Sequence, residues 1–162
     1  MTGEVRDAGA ADYPAIFETV EAAFGRPDEA RLVTALRRAG ALTLDLVAEV
    51  DGRIVGHIAL SRLLSPGAAL ALAPLSVHPD HQRIGIGHAL MRAAIERAEA
   101  AEAEMIFVLG DPAYYGRFGF ETRLAAPYES PFQGPYFMAR AVGRKLPPPA
   151  AVIYPAPFGD LG

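Results

Sequence analysis

The spacing of apolar positions changes along this chain, and each change marks an element. Glu4 to Asp7 reads as a short first strand. Ile16, Phe17, Val20, Ala23 and Phe24 then recur at helical spacing, with Asp12 placed to cap the helix and Pro14 in its first turn. Gly25 and Pro27 end it. Asp28 is placed to cap a second helix, whose stripe of Leu32, Val33 and Leu36 closes before Gly40. There the period drops to two. Leu42, Leu44, Leu46 and Ala48 fall on alternate positions, Asp51-Gly52 supplies a tight turn, and Ile54, Ile58 and Leu60 continue beyond it. Asp-Gly between two such runs is the strongest short-range signal for a β-hairpin. A second turn at Ser65-Pro66-Gly67 leads into a third consecutive strand, Ala68 to Val77.

Past a polar turn the helical period returns from about Gly87 to Glu102. Leu90, Met91, Ala94, Ile95 and Ala98 lie on one side, and Arg92, Glu96, Arg97 and Glu99 on the other. Met105 to Leu109 is apolar throughout, as a buried strand is. Strand, helix and strand over residues 70–109 have the length of a right-handed crossover, so these two strands are expected to be parallel. A short helix over Ala113 to Phe118 follows, then strands at Phe137 to Val142 and Ala151 to Tyr154, joined through the stiff run Lys145-Leu146-Pro147-Pro148-Pro149. The architecture expected is α+β: an antiparallel meander feeding a parallel β-α-β crossover, with helices on both faces, in one domain over residues 1–162.

Composition narrows the function classes. Of 162 residues, 51% are hydrophobic and 21% charged, with a net charge of −4, and no Lys/Arg cluster forms a basic patch for nucleic acid. There is no cysteine, which removes disulfides, thiolate metal sites and a cysteine nucleophile together. The N-terminal residues lack the apolar core of a signal peptide. Pro66, Gly67 and Pro74 break the most apolar stretch, Leu63 to Val77, so it does not read as a membrane span. A soluble, cytoplasmic protein is the expectation.

Chemistry concentrates where the third strand meets the long helix. After Val77-His78-Pro79, the segment Gln82-Arg83-Ile84-Gly85-Ile86-Gly87 opens the helix. Two glycines one residue apart leave backbone N–H groups unpaired and uncovered at the positive end of the helix dipole. Arg83 adds a full charge. This is a site for a phosphate or diphosphate.

Those residues, with a second motif downstream, resemble the GNAT superfamily of N-acetyltransferases, whose usual acetyl donor is acetyl-coenzyme A. Gln82, Gly85 and Gly87 fit that family's glycine motif in register, and Tyr114-Tyr115-Gly116-Arg117-Phe118-Gly119-Phe120 resembles its aromatic segment after the fifth strand. The order of elements agrees along nearly the whole chain. The resemblance implies that the strands around Leu75 to Val77 and Met105 to Leu109 splay apart and that the donor's pantetheine arm lies between them. It would use backbone groups of Leu75 and Val77, and Gln82, Arg83, Gly85, Ile86, Gly87 and His88 would surround the diphosphate. Tyr115 takes the position of a tyrosine that faces the donor's sulfur, making it the candidate catalytic residue. The implied reaction is direct acetyl transfer to an amine of a small molecule or peptide; relatives often pair through C-terminal strands, so the resemblance allows a homodimer but leaves the oligomeric state open.

Each residue also has a plainer reading. Gly85 and Gly87 would equally permit tight packing at a helix start. A dinucleotide fingerprint would use the same two glycines with Asp111 downstream, but it asks for a third glycine where Leu90 stands and normally begins a fold. Tyr115 could fill a core with Phe118 and Phe120. Full proton transfer from an ordinary phenol to a departing thiolate is uphill by about 2 kcal/mol, so hydrogen bonding to the sulfur is the role assigned to Tyr115. His78 and His81 lie on a solvated turn without a further ligand cluster, and no metal site is assigned. Asp111 is read as a cap, and His57 as a histidine without a partner. No acid stands on the strand Ala68 to Val77, where many relatives carry a glutamate base. Glu21, Glu49, Glu129 and a water chain are the alternatives, and the missing strand acid keeps open a second function, a module that binds acyl-coenzyme A without turnover. Loops around Ala22 to Asp28 and Pro127 to Pro135 are expected to border the acceptor.

Overall fold

The computed structural model describes residues 3–161. Six strands form one sheet in sequence order: β1 (Glu4–Asp7), β2 (Leu42–Val50), β3 (Arg53–Arg62), β4 (Ala69–Val77), β5 (Met105–Leu109) and β6 (Phe137–Ala141). All neighbours are antiparallel except β4 and β5, which run parallel. Helices α1 (Tyr13–Phe24) and α2 (Asp28–Arg38) cover one face, and α3 (Ile86–Ala100) covers the other. Short helices α4 (Pro112–Tyr115) and α5 (Thr122–Ala125) follow β5. Among the described residues no helix is long and apolar enough to cross a membrane. The expected meander, crossover and two helical layers are all present.

Local chemistry accounts for most of these elements. Asp51 and Gly52 both take positive φ, 50° and 78°, as a two-residue hairpin turn between right-twisted strands requires. The stripe of α3 sits where its spacing placed it: Leu90, Met91, Ala94 and Ala98 are fully buried against the sheet. Gly56 on β3 makes that docking close. A Cβ there would lie 2.9 Å from both Ile86 Cγ2 and Leu90 Cδ1, so any side chain would push the start of α3 off the sheet.

The most consequential irregularity lies in β4. Ile58 pairs with Leu75 and Leu60 with Leu72, so Ala73 and Pro74 together oppose the single residue Ala59. This is a β-bulge, which bends its strand, and Pro74 cannot donate to a ladder. The β4–β5 pairing ends just before it, at Leu72–Val108, while Leu109 continues alongside Phe137. The two central strands therefore part at the bulge and leave a gap.

Four sequence expectations differ from the structure. Ala151 to Tyr154 forms no strand; it makes one isolated bridge, Ile153 to Ser65, with N–H···O bonds of 2.8 and 3.0 Å. Prolines 147–149 and 155 bracket this segment, which leaves too few consecutive donors for a ladder. Asp28 lies inside the first turn of α2 with Pro27 at the cap, and the Asp12 carboxylate accepts from Gly9 N–H (2.8 Å) and Arg6 instead of from α1. His57 is not partnerless: its Nε2 lies 2.6 Å from Asp45 Oδ1, and Asp45 is also held by Arg37 at 2.8 Å.

Candidate active site

The polypeptide between β4 and α3 is built to expose its own amides. His78 O accepts from His81 N–H at 2.8 Å, and His78 Nδ1 from Asp80 N–H at 3.1 Å, which closes a tight 3-10 turn. The Gln82 amide donates to the Val77 carbonyl at 3.1 Å, tying the turn to the end of β4. Arg83 and Gly85 then adopt positive φ, 67° and 92°, turning the chain so that Ile86 drops into the core while Ile84 stays outside. The first N–H of this helix with an intrahelical acceptor is that of Ala89, bonded to Gly85 O at 3.0 Å. The N–H groups of Ile86, Gly87 and His88 precede the ladder and are offered outward.

Facing them is α4. Asp111 caps it as expected: its Oδ1 accepts from Ala113 N–H at 2.9 Å, and its carbonyl accepts from Tyr115 N–H at 2.9 Å. Tyr114 meets Tyr115 edge-on at 5.0 Å between ring centres and lies tilted against Phe118 at 5.5 Å, and Phe118 reaches across the gap to lie tilted against His88 at 5.2 Å. Gly110 leaves room for Tyr115, whose ring atoms would otherwise lie only 2.4 Å from a Cβ.

Between the two walls runs a cavity of about 620 Å³. It brings together all eight residues read from the sequence as donor-binding, Leu75, Val77, Gln82, Arg83, Gly85, Ile86, Gly87 and His88, with Tyr115. Tyr114, Arg117 and Phe118 also line it, and the sequence reading had assigned them no role there. Arg117 carries a signal, a second cation two residues beyond the aromatic pair Tyr114-Tyr115. Two arginines and no carboxylate line this cavity, which suits an anion.

On the other side of the parted strands lies a second cavity of about 570 Å³. Phe24, Glu29 and Leu32 come from the α1–α2 corner, Ala73 to Leu75 from the bulge, and Phe132, Tyr154 and Phe158 from the C-terminal third. Leu75 and Tyr115 belong to both cavities. The loops singled out earlier each put one aromatic ring here, Phe24 and Phe132. Glu29, Leu32, Tyr154 and Phe158 went unrecognised, because nothing local distinguishes them from ordinary helix-start, core or tail residues.

Tyr115 stands at the junction. Burial, with a smaller effect from Tyr114, pushes its phenol up to about 12. Full transfer of its proton to a thiolate of ordinary pKa near 8.5 would be uphill by about 5 kcal/mol, which favours hydrogen bonding over proton transfer at this hydroxyl. None of the carboxylates considered as bases reaches this place. Glu49 is held by Arg6 at 2.8 Å, Glu21 and Glu129 are exposed, and none of the three lines either cavity. Among the described residues Glu29 is the only carboxylate on either wall, and it is paired with the Arg26 guanidinium through Nε at 3.0 Å.

A mixed sheet opened by a bulge, with bare helix amides on one lip and tyrosines on the other, defines an acyl-transfer scaffold of the acetyltransferase kind. The model of the acetyltransferase (GNAT) domain family matches residues 45–122. The uncharacterized N-acetyltransferase YjhQ of Escherichia coli is 38% identical over 117 residues, 68% of this chain and 65% of that protein. The uncharacterized N-acetyltransferase YhbS of the same organism is 36% identical over 122 residues, 73% of this chain and 72% of that protein. The crystal structure of E. coli YhbS in complex with CoA superposes with a TM-score of 0.91 at 27% identity, covering all of this chain and 94% of that one. A GNAT family acetyltransferase from Brucella melitensis in complex with acetyl-CoA gives 0.82 at 37% identity, covering 96% and 97%. The chain belongs to the GNAT family of N-acetyltransferases. The dinucleotide alternative falls with this result and with Leu90, which stands fully buried against Gly56 where that fingerprint needs a glycine.

Proposed function

We propose that this chain transfers the acetyl group of acetyl-CoA directly to an amine within a ternary complex. One observation carries the reading: a slot at the parted strands whose rim offers the N–H groups of Ile86, Gly87 and His88 beside Arg83 and Arg117. The residues fit the donor. Gly87 leaves space that a Cβ would fill, as close as 2.9 Å to the Tyr114 hydroxyl, and no acid lines the slot to repel a diphosphate.

In this reading the α3 amides and the two arginines hold the diphosphate. Leu75 and Val77 provide the β4 edge along which the pantetheine arm lies in the manner of a strand. Gln82 acts from behind, holding the turn to Val77. Backbone N–H groups near Val77 polarise the thioester carbonyl, and Tyr115 donates to the sulfur as charge develops there. With no cysteine in the chain, the commonest acyl-enzyme intermediate of such transfers has no nucleophile here.

The deciding experiment measures thiol release from acetyl-CoA across a broad amine panel, with donor binding followed separately by calorimetry. Donor binding with amine-dependent thiol release is expected. Tight donor binding with no release on any amine would overturn the reading in favour of a sensing module.

A further inference from the structure

The second cavity says what kind of amine it would take. Its walls are Phe24, Leu32, Phe107, Phe132, Tyr154 and Phe158, and the single carboxylate among the described residues that line it, Glu29, already has Arg26 as a partner. No net charge is left to attract a polycation. About 570 Å³ falls within the range of ~300–1,000 Å³ usual for small-molecule sites. At its rim Phe24 is 43% exposed and Phe132 40%, large apolar side chains held at the surface where a ligand would cover them. Phe132, Tyr154 and Phe158 form one cluster, with ring centres 5.4 and 5.1 Å apart.

We propose that this cavity binds a primary amine carried on a hydrophobic body, aromatic or branched aliphatic, and presents its nitrogen at the Leu75–Tyr115 junction. This rests on the transfer reading above and names the acceptor class for it. It also answers how the reaction proceeds without a carboxylate on β4. An ammonium entering apolar surroundings loses hydration, which favours its neutral form, and the Arg26–Glu29 pair has no spare charge to oppose this. The neutral nitrogen's lone pair forms the C–N bond to the acetyl carbonyl carbon, and the C–S bond breaks with its electrons passing to sulfur. The proton that nitrogen sheds ends on that sulfur, giving an amide and a free thiol.

The test compares kcat/KM for phenethylamine and isoamylamine with that for spermidine and lysine, in the wild type and in the double variant Phe24→Ser/Phe132→Ser. Both rim side chains are surface-exposed, so the fold survives their loss. The apolar amines are expected to be at least tenfold better acceptors. The double variant raises their KM about tenfold while acetyl-CoA affinity stays within twofold. A preference for the polycation, or a KM indifferent to the double variant, overturns the proposal while leaving the transfer reading intact. If no amine turns over, the transfer reading fails, and saturation-transfer NMR of phenethylamine on the CoA-loaded protein decides the cavity. Binding that the double variant abolishes supports the apolar site, and no binding in the wild type refutes it.

Discussion

The Tyr114 hydroxyl lies 2.9 Å from the position a Cβ on Gly87 would occupy. The helix start and the short helix after β5 are therefore closed on each other to the thickness of one missing side chain. Anything larger than hydrogen at residue 87 must displace the tyrosine or fill the slot. Gly87→Trp is expected to weaken acetyl-CoA binding at least tenfold by calorimetry with little change in thermal midpoint. Unchanged affinity would place the diphosphate elsewhere.

Tyr115 is held protonated by burial, with its phenol pushed up to about 12. Removing only the hydroxyl, in Tyr115→Phe, is expected to lower kcat about 100- to 1,000-fold, the range of one lost transition-state donor, while donor affinity stays within twofold. Because the folded group stays neutral until far into alkali, any alkaline limb of kcat between pH 7 and 10 belongs to another group and survives in a variant with residual activity. A limb near pH 9 that vanishes with the hydroxyl would show a normal phenol acting as an acid.

Asp111 links stability to the site because its caps hold the turn that carries both tyrosines. Asp111→Ala leaves Ala113 N–H without its acceptor and is expected to cost about 1 kcal/mol in denaturant unfolding. The kcat falls with it. Asp111→Asn retains a capping oxygen and restores both; equal damage from the two substitutions would make charge, not the cap, the cause.

The buried pair His57–Asp45 gives the fold an acid sensitivity. Burial pushes the His57 imidazole below its usual value, and the opposing pull of Asp45 does not cancel it. The neutral ring therefore donates from Nε2 to Asp45. For Asp45, burial raises the carboxyl, but hydrogen bonds from His57 and Arg37 outweigh it and leave the group lowered. An unfolded His57 takes up a proton near pH 6.5 while the folded one does not, so its contribution is complete above that value and declines below it. The slope is at most about 1.4 kcal/mol per pH unit. Asp45 adds a further loss below about pH 4, where its unfolded form protonates. Thermal midpoints are expected to fall from pH 7 to 5 in the wild type and to flatten in His57→Gln; parallel curves would show that His57 does not titrate on unfolding.

Sequence alone determined the parts whose cause is local. The Asp51-Gly52 hairpin, the α3 stripe and the glycines at residues 85 and 87 each answer to a backbone conformation or a helical period spanning a few residues, so their signals stand next to one another in the chain. Tyr115 was legible for the same reason, as one position inside a compact aromatic motif. The parting of the central strands was implied by the family resemblance, but its cause was a matter for tertiary structure, because the bulge at Ala73-Pro74 appears only when β4 is laid against β3. Tertiary structure also decided the second cavity. Phe24, Glu29, Phe132 and Tyr154 lie up to 130 positions apart, and a cavity wall asks of each only that it be apolar or small enough at its place. Such a demand leaves no pattern along a chain, since it is set by the packing of distant segments and not by the neighbours of any one residue.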